Sequence, residues 1–302
     1  MYGEFKNKKK LSTRAAAAEV IAKVLRGQSL SALLPEYSGK VDEKDRPLLK
    51  ELCFGSLRWY PQIAIILKGL IEKPLREKDL EIQGLLASGI YQLMHMRIAE
   101  YAIINETVSA VGNLNRPWAK GLVNAVLRNF QRQQQDILDK EAENLVFQTA
   151  HPKWLLKKIN DAWPSEIASQ IIKANNQRAP MTLRVNGLQT SREDYLSTLE
   201  DAGIVASATD YSAQGVLLET PRDVTELPGF SDGDISVQDE AAQLAAHLLL
   251  LGSGQRVLDA CCAPGGKTCH ILESQPDLTS LLAIDLEPRR LVRVTENLER
   301  LG

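Results

Sequence analysis

From residue 12 to residue 130, apolar positions recur every third or fourth residue, the spacing of helices that each bury one face. Val20, Ile21, Val24 and Leu25 form one stripe, stopped by Gly27. Leu48, Leu49, Leu52, Cys53 and Leu57 form a second, and Leu80, Leu85, Leu86, Ile90 and Leu93 a third. The pattern predicts an all-helical domain, with Gly84 and Gly89 as weak points in the third stripe because glycine costs up to ~1 kcal/mol in a helix interior. A helix over residues 119–130 places Leu122, Val123, Val126, Leu127 and Phe130 on one side and Lys120, Asn124 and Arg128 on the other. Residues 136–147 turn polar, and Ala150-His151-Pro152 breaks the pattern, so a boundary is expected within 135–150.

Beyond it a helical pattern over 153–175 gives way to the alternation Met181-Thr182-Leu183-Arg184-Val185-Asn186, which predicts a half-buried strand. A helix over 192–202, ended by Gly203, and a strand at Val216-Leu217-Leu218 follow, making a small α+β module. After an alanine-rich helix from Val237-Gln238-Asp239-Glu240 to Leu251, the order is strand (255–259), tight loop, helix (267–273), strand (281–285), helix (288–300). This is β-α-β-α, the beginning of a doubly wound parallel sheet. The expected domains are 1–145, 146–235 and 236–302, in a multidomain chain of all-α, α+β and α/β parts. A length of 302 residues agrees, being more than one core usually fills.

A hydrophobic content of 44% and a charged content of 25% describe an ordinary soluble protein. No stretch is apolar enough for a membrane span, and lysines follow Phe5 where a signal peptide has its apolar core, so a cytoplasmic location is expected. Residues 1–150 carry 22 basic and 17 acidic side chains, net +5, against 14 and 21, net −7, in 151–302. Only the first half suits a polyanion. Two features there read either way: Lys6, Lys8, Lys9, Lys10 and Arg14 as a solubilising tail or a phosphate-binding arm, and Lys120, Asn124 and Arg128 as a solvated face or an RNA contact. Residues 201–250 hold nine acidic residues and Arg222 as the lone Lys or Arg, so RNA contact in the second half is expected near Arg178 and Arg184. Cys261, Cys262 and Cys269 cluster, but without a second C-x-x-C pair or spaced histidines no metal site is expected.

The chemistry concentrates in Asp259-Ala260-Cys261-Cys262-Ala263-Pro264-Gly265-Gly266-Lys267-Thr268, between a strand's carboxyl end and a helix's amino end, where open α/β sheets bind ligands. Gly265 and Gly266 permit a sharp bend and close approach of a ligand to the backbone, and the free N–H groups of the next helix face that ligand. Asp285 ends the next strand, 20 residues after Gly265, where a carboxylate can accept ribose hydroxyls. The loop is neither G-x-G-x-x-G nor a P-loop, since Cys261 stands where a P-loop needs its first glycine. Asp259 serves either the ligand or the loop's own N–H groups.

The string DACCAPGGKT followed by AID resembles motif I of the RNA cytosine-C5 methyltransferases, usually D-x-C-A-A-P-G-G-K-T, with Cys262 in place of an alanine. Upstream, Asn105-Glu106-Thr107-Val108 and residues 121–128 resemble a NusB-type RNA-binding domain, and residues 178–186 with Val237-Gln238-Asp239-Glu240 resemble the linker before the catalytic domain. In this order they resemble the bacterial 16S rRNA cytosine-C5 methyltransferases of the RsmB/Sun/Fmu family. The resemblance implies a NusB-like all-α domain, a small α+β linker module and the start of a Rossmann-like class I methyltransferase domain. It implies S-adenosyl-L-methionine as cofactor, held by Cys261, Cys262, Ala263, Pro264, Gly265, Gly266 and Lys267 around its methionine part and by Asp285 at its ribose, with 16S rRNA as partner. In the family, catalysis uses a cysteine in a later Thr-Cys pair and another in a Pro-Cys pair, and both are expected to lie beyond Gly302. The chain is therefore expected to be a truncated form without a catalytic residue and without methyl transfer. The alternative is a non-catalytic RNA-binding or regulatory protein that keeps the helical domain.

Overall fold

The computed structural model describes residues 10–302, so Lys6, Lys8 and Lys9 of the basic arm lie outside the described residues. The chain divides into two compact units, one through Gln177 and one from Arg178.

The described part of the first unit is helical: α1 (Thr13–Leu25), α2 (Leu30–Ser38), α3 (Arg46–Arg58), α4 (Tyr60–Leu70), α5 (Leu80–His95), α6 (Glu100–Ala110), α7 (Ala119–Lys140), α8 (Leu145–Thr149), α9 (Lys153–Ala162) and α10 (Ser165–Asn175). Ser12 caps α1 by accepting the Ala15 N–H at 3.3 Å. Ala15, Ala16, Ala17 and Ala18 are fully buried, and their small side chains let α5 come close. Gly84 is the point of approach, since a Cβ there would lie 2.4 Å from the Ala18 carbonyl oxygen. A Cβ on Gly89 would lie 2.8 Å from Leu127 Cδ2. The two glycines read as weak points are thus where α5 meets α1 and α7. Helix α7 runs ten residues past the expected Phe130, because Ile137 and Leu138 carry its apolar stripe on to the core and the intervening glutamines are good helix formers. Arg14 is no part of a free arm: it lies in α1, and its Nε donates to Gln92 Oε1 at 3.0 Å. Lys120 and Arg128 are exposed, with Arg128 donating to Asn124 at 3.1 Å.

The second unit contains β1 (Met181–Val185), α11 (Arg192–Asp201), β2 (Ala206–Ala208), β3 (Gly215–Leu218), β4 (Ile235–Val237), α12 (Glu240–Leu248), β5 (Arg256–Ala260), α13 (Gly266–Ser274), β6 (Ser280–Ile284) and α14 (Pro288–Leu301). Four strands form an antiparallel sheet in the order β2-β3-β1-β4, over a core of Leu183, Val185, Tyr195, Leu199, Val216 and Ile235. The short strands β2 and β4 were not expected, three residues being too few for alternation to show. Because β4 pairs with β1, Leu183 opposite Val237, the expected division at 235/236 falls inside a strand. Strands β5 and β6 pair in parallel, Leu258 beside Leu282 and Ala260 beside Ile284. Leu258, Leu282 and Ile284 are exposed.

Two arginines join the sheets. Arg184 of β1 is fully buried, with its guanidinium on α13, so it cannot be the RNA contact expected of it. Arg300 of α14 reaches the other way, donating to the carbonyls of Phe230 at 2.7 Å and Ile235 at 2.9 Å.

Candidate cofactor loop

The loop between β5 and α13 uses up its own polar groups. The N–H groups of Cys261 and Cys262 both donate to the Ile284 carbonyl, at 2.9 and 3.0 Å, and Gly265 N–H donates to Cys262 O at 2.7 Å. Ala263 N–H donates to Asp285 Oδ2 at 3.1 Å. The carbonyls are gripped from outside: Ala263 by Arg290 at 2.9 Å, Pro264 by Asn297 at 2.9 Å and Gly266 by Arg184 at 2.8 Å. Thr268 Oγ1 donates to Asp259 Oδ2 at 2.6 Å, so Asp259 binds the helix's first turn and none of the loop's N–H groups. A loop held at so many points is fixed before any ligand arrives.

What stays free is the first turn of α13. Gly265 supplies no side-chain cap, and the amides of Gly266, Lys267 and Thr268 have no acceptor within the helix, so partial positive charge is left at that end. The two glycines play different parts. Gly265 has φ +103°, and a Cβ on it would press on Val294 Cα at 3.2 Å; the turn itself needs glycine. Gly266 has ordinary φ, and the nearest atom to a Cβ there is Gln238 Nε2 at 3.8 Å. Folding leaves room for a side chain at 266, and the sequence leaves that room empty.

The expected site residues are together, but they present different atoms. Cys261 is exposed, at φ +75°. Cys262 and Ala263 are buried with Val294 against Ala283, Leu291 and Leu298, so they can offer a ligand main chain only. Pro264 and Lys267 are exposed. Asp285 is nearly covered, its side chain 2% exposed: Oδ1 accepts from Glu287 N–H at 3.1 Å and pairs with Arg290 at 3.3 Å. The Glu287 N–H, the Ala263 N–H and the Arg290 guanidinium hold its carboxyl below the usual carboxylate range. Arg290 and Asn297, with Val294 between them, went unread in the sequence. Their i, i+4, i+7 spacing on one helix face directly after AID is a usable signal.

Three of the four cysteines, Cys53, Cys262 and Cys269, are poor nucleophiles by environment. Burial pushes the Cys53 thiol up to about 12 and the Cys269 thiol up to about 11. Cys262 is raised by burial and by the charges of Asp259 and Asp285. Among the described residues no group of three or more His, Cys, Asp and Glu is placed to hold a metal, and no helix is long and apolar enough to cross a membrane.

Three families match the chain in succession: the NusB family over residues 11–132, the RsmF/B-like ferredoxin-like domain over 151–225 and the 16S rRNA methyltransferase RsmB/F family over 246–302. Over 292 residues it is 50% identical to ribosomal RNA small subunit methyltransferase B of Pseudomonas putida, covering 96% of this chain and 67% of that protein. It belongs to the ribosomal RNA small subunit methyltransferase B family. The family members of Pseudomonas syringae pv. tomato, at 51% identity, and Serratia proteamaculans, at 47%, are covered to 65% and 68% of their length, both over 97% of this chain. The chain thus spans about two thirds of these relatives. The crystal structure of PH0851 shares the fold, with a TM-score of 0.74 at 20% identity over 97% of this chain and 68% of that one. Family and fold class are those the motifs implied: helical NusB domain, ferredoxin-like α+β module and the first part of an α/β methyltransferase domain.

Proposed function

We propose that the β5-α13 loop binds S-adenosyl-L-methionine for methylation of cytosine C5 in 16S rRNA, in the cytoplasm where that RNA is assembled. The carrying observation is the vacant Cβ position at Gly266 beside free first-turn amides. A carboxylate suits those amides by charge. The main chain of Cys261, Cys262, Ala263, Pro264, Gly265 and Lys267 would wall the site, and Asp285 would take the ribose hydroxyls, with half-exposed Arg290 as the partner that yields. S-adenosyl-L-methionine supplies an electrophilic methyl group when bound. RNA is met by the helical domain, through the basic charge of the first half and the exposed Lys120 and Arg128. We assign the domains as 1–145, 146–237 and 238–302, which moves the second division past β4 and keeps that strand in the sheet where it pairs with β1.

Cytosine C5 accepts a methyl group only after a thiolate has added at C6 and made C5 electron-rich. Cys53, Cys262 and Cys269 are buried with raised thiols, and Cys261 lies in the cofactor loop itself. The residues in hand therefore bind and orient, and the 302-residue chain transfers no methyl group. Calorimetric titration with S-adenosylmethionine tests the site. Weak binding is expected, abolished by Gly266→Ala at an unchanged unfolding midpoint, whereas Gly265→Ala loses binding and stability together. Undiminished binding by Gly266→Ala, or no binding by the native chain at millimolar ligand, refutes the reading.

A further inference from the structure

Arg184 lies in β1 of the antiparallel sheet, 82 residues before Gly266. Its side chain has no solvent exposure and that of Glu273 has 6%. Burying a guanidinium is tolerated only when its N–H groups are met. Here Nε donates to Glu273 Oε2 at 3.0 Å, Nη2 to Glu273 Oε1 at 2.6 Å, and Nη1 to Gly266 O at 2.8 Å and to Gln238 Oε1. The bidentate pair is planar recognition of a kind lysine cannot reproduce.

Glu273 is itself out of place by helix criteria. It sits in the last turn of α13, where the macrodipole disfavours negative charge. Its use is with Arg184. Residues 266, 270 and 273 share one face of α13, so the guanidinium holds that face both at its first carbonyl and two turns on. The helix can neither slide nor rotate without breaking one grip. Its first-turn amides are the free ones, and the loop carbonyls before them are held by Arg290 and Asn297 from α14.

We propose that Arg184 is a positioning residue: through Gly266 and Glu273 it sets where the first-turn amides of α13 point, and thereby the affinity for the cofactor's anionic end. This rests on the cofactor reading above, but the geometry it invokes belongs to the free chain. Arg184→Met alone strands a buried carboxylate, so the main variant is the double exchange Arg184→Met with Glu273→Met, which removes both charges and keeps much of the volume. Arg184→Lys accompanies it, keeping a charge for Glu273 without the span to reach Gly266 as well.

Two measurements on the full chain decide the matter. Hydrogen exchange without ligand should be at least about tenfold faster over 261–269 in both variants, with peptides from β1 and β3 near native rates and an unchanged urea midpoint in the double variant. Titration with S-adenosylmethionine should show affinity down about tenfold or more in both, the loss of one hydrogen bond to a charged group being worth that much. Native exchange over 261–269 in either folded variant overturns the proposal, as does native affinity. If the native chain binds no cofactor, the functional reading fails, and the exchange rates still decide whether Arg184 positions the loop.

Discussion

Lowering the pH from 7 to 5 should weaken the second unit by about 2 kcal/mol through one side chain, His270 of α13. The ring is fully buried. Its Nε2 lies 3.2 Å from Gln214 Oε1, which makes Nε2 the N–H donor and leaves Nδ1 without a partner. Burial above all, then the charges of Arg184 on β1 and His247 on α12, whose ring stands edge-on at 5.3 Å, push the imidazole down to about 3 from an ordinary 6.5. The unfolded chain therefore takes up a proton as the pH falls through 6.5, while the folded chain stays neutral until near 3. Stability present above 6.5 drains away between those limits. At pH 5 the unfolded imidazole is about 97% protonated and the folded one hardly at all, which by linkage amounts to about 2 kcal/mol, little of it already lost at pH 7. The figure barely changes for any folded value below about 4, so it does not hinge on the depth of the shift. Asp285 and Glu240, both held low, act below about pH 4.5. All four tryptophans, Trp59, Trp118, Trp154 and Trp163, lie in the first unit. Urea unfolding followed by tryptophan emission therefore reports that unit, including its own His95, whose imidazole desolvation pushes down, while hydrogen exchange on β1 and α13 peptides reports the second. His270→Gln keeps a donor for Gln214 and removes the titration, so its second unit should be equally stable at pH 7 and pH 5. An equal acid loss in native and variant chains would sink the reasoning.

Two further outcomes are expected. Gly84→Ala should destabilise the first unit by about 1 to 3 kcal/mol, because its Cβ has only 2.4 Å to the Ala18 carbonyl oxygen, whereas Gly121→Ala on the open side of α7 should stabilise by up to about 1 kcal/mol; tryptophan-detected urea midpoints shifting alike would contradict both. Iodoacetamide should label Cys261 first, with Cys53, Cys262 and Cys269 reacting only on unfolding, and mass spectrometry showing Cys269 modified in native chain would disprove the burial argument.

Much of the fold was legible because long helices repeat their pattern: α1, α3, α5 and the start of α7 all follow apolar stripes in the sequence. Strands β1, β3, β5 and β6 and helices α11, α13 and α14 lie within a residue or two of their expected limits. What escaped was set by tertiary partners. Strands β2 and β4 exist through pairing with β3 and β1, and the far end of α7 through Ile137 on the core. At the loop, residue types and spacing showed where a ligand would go, and Gly265 proved structurally required. That Cys262 turns inward, that Asp285 is already bonded, and that Arg184 is buried machinery depend on contacts up to 89 residues apart. A linear pattern carries no such information.

Arg184 and Arg300 cross between the two sheets in opposite directions, which bears on how genes of this family can recombine. A hybrid taking residues 178–235 from one relative and the rest from another inherits Arg184 without its own Glu273, and Arg300 without its own Phe230 turn. Gly233 tightens the constraint, since a Cβ there would lie 2.5 Å from the Arg300 carbonyl. Exchanges that succeed should therefore carry these positions as linked sets. Along the stretch between the ferredoxin-like match and the methyltransferase match, 226–245, the parts are separate in pattern yet inherited as one.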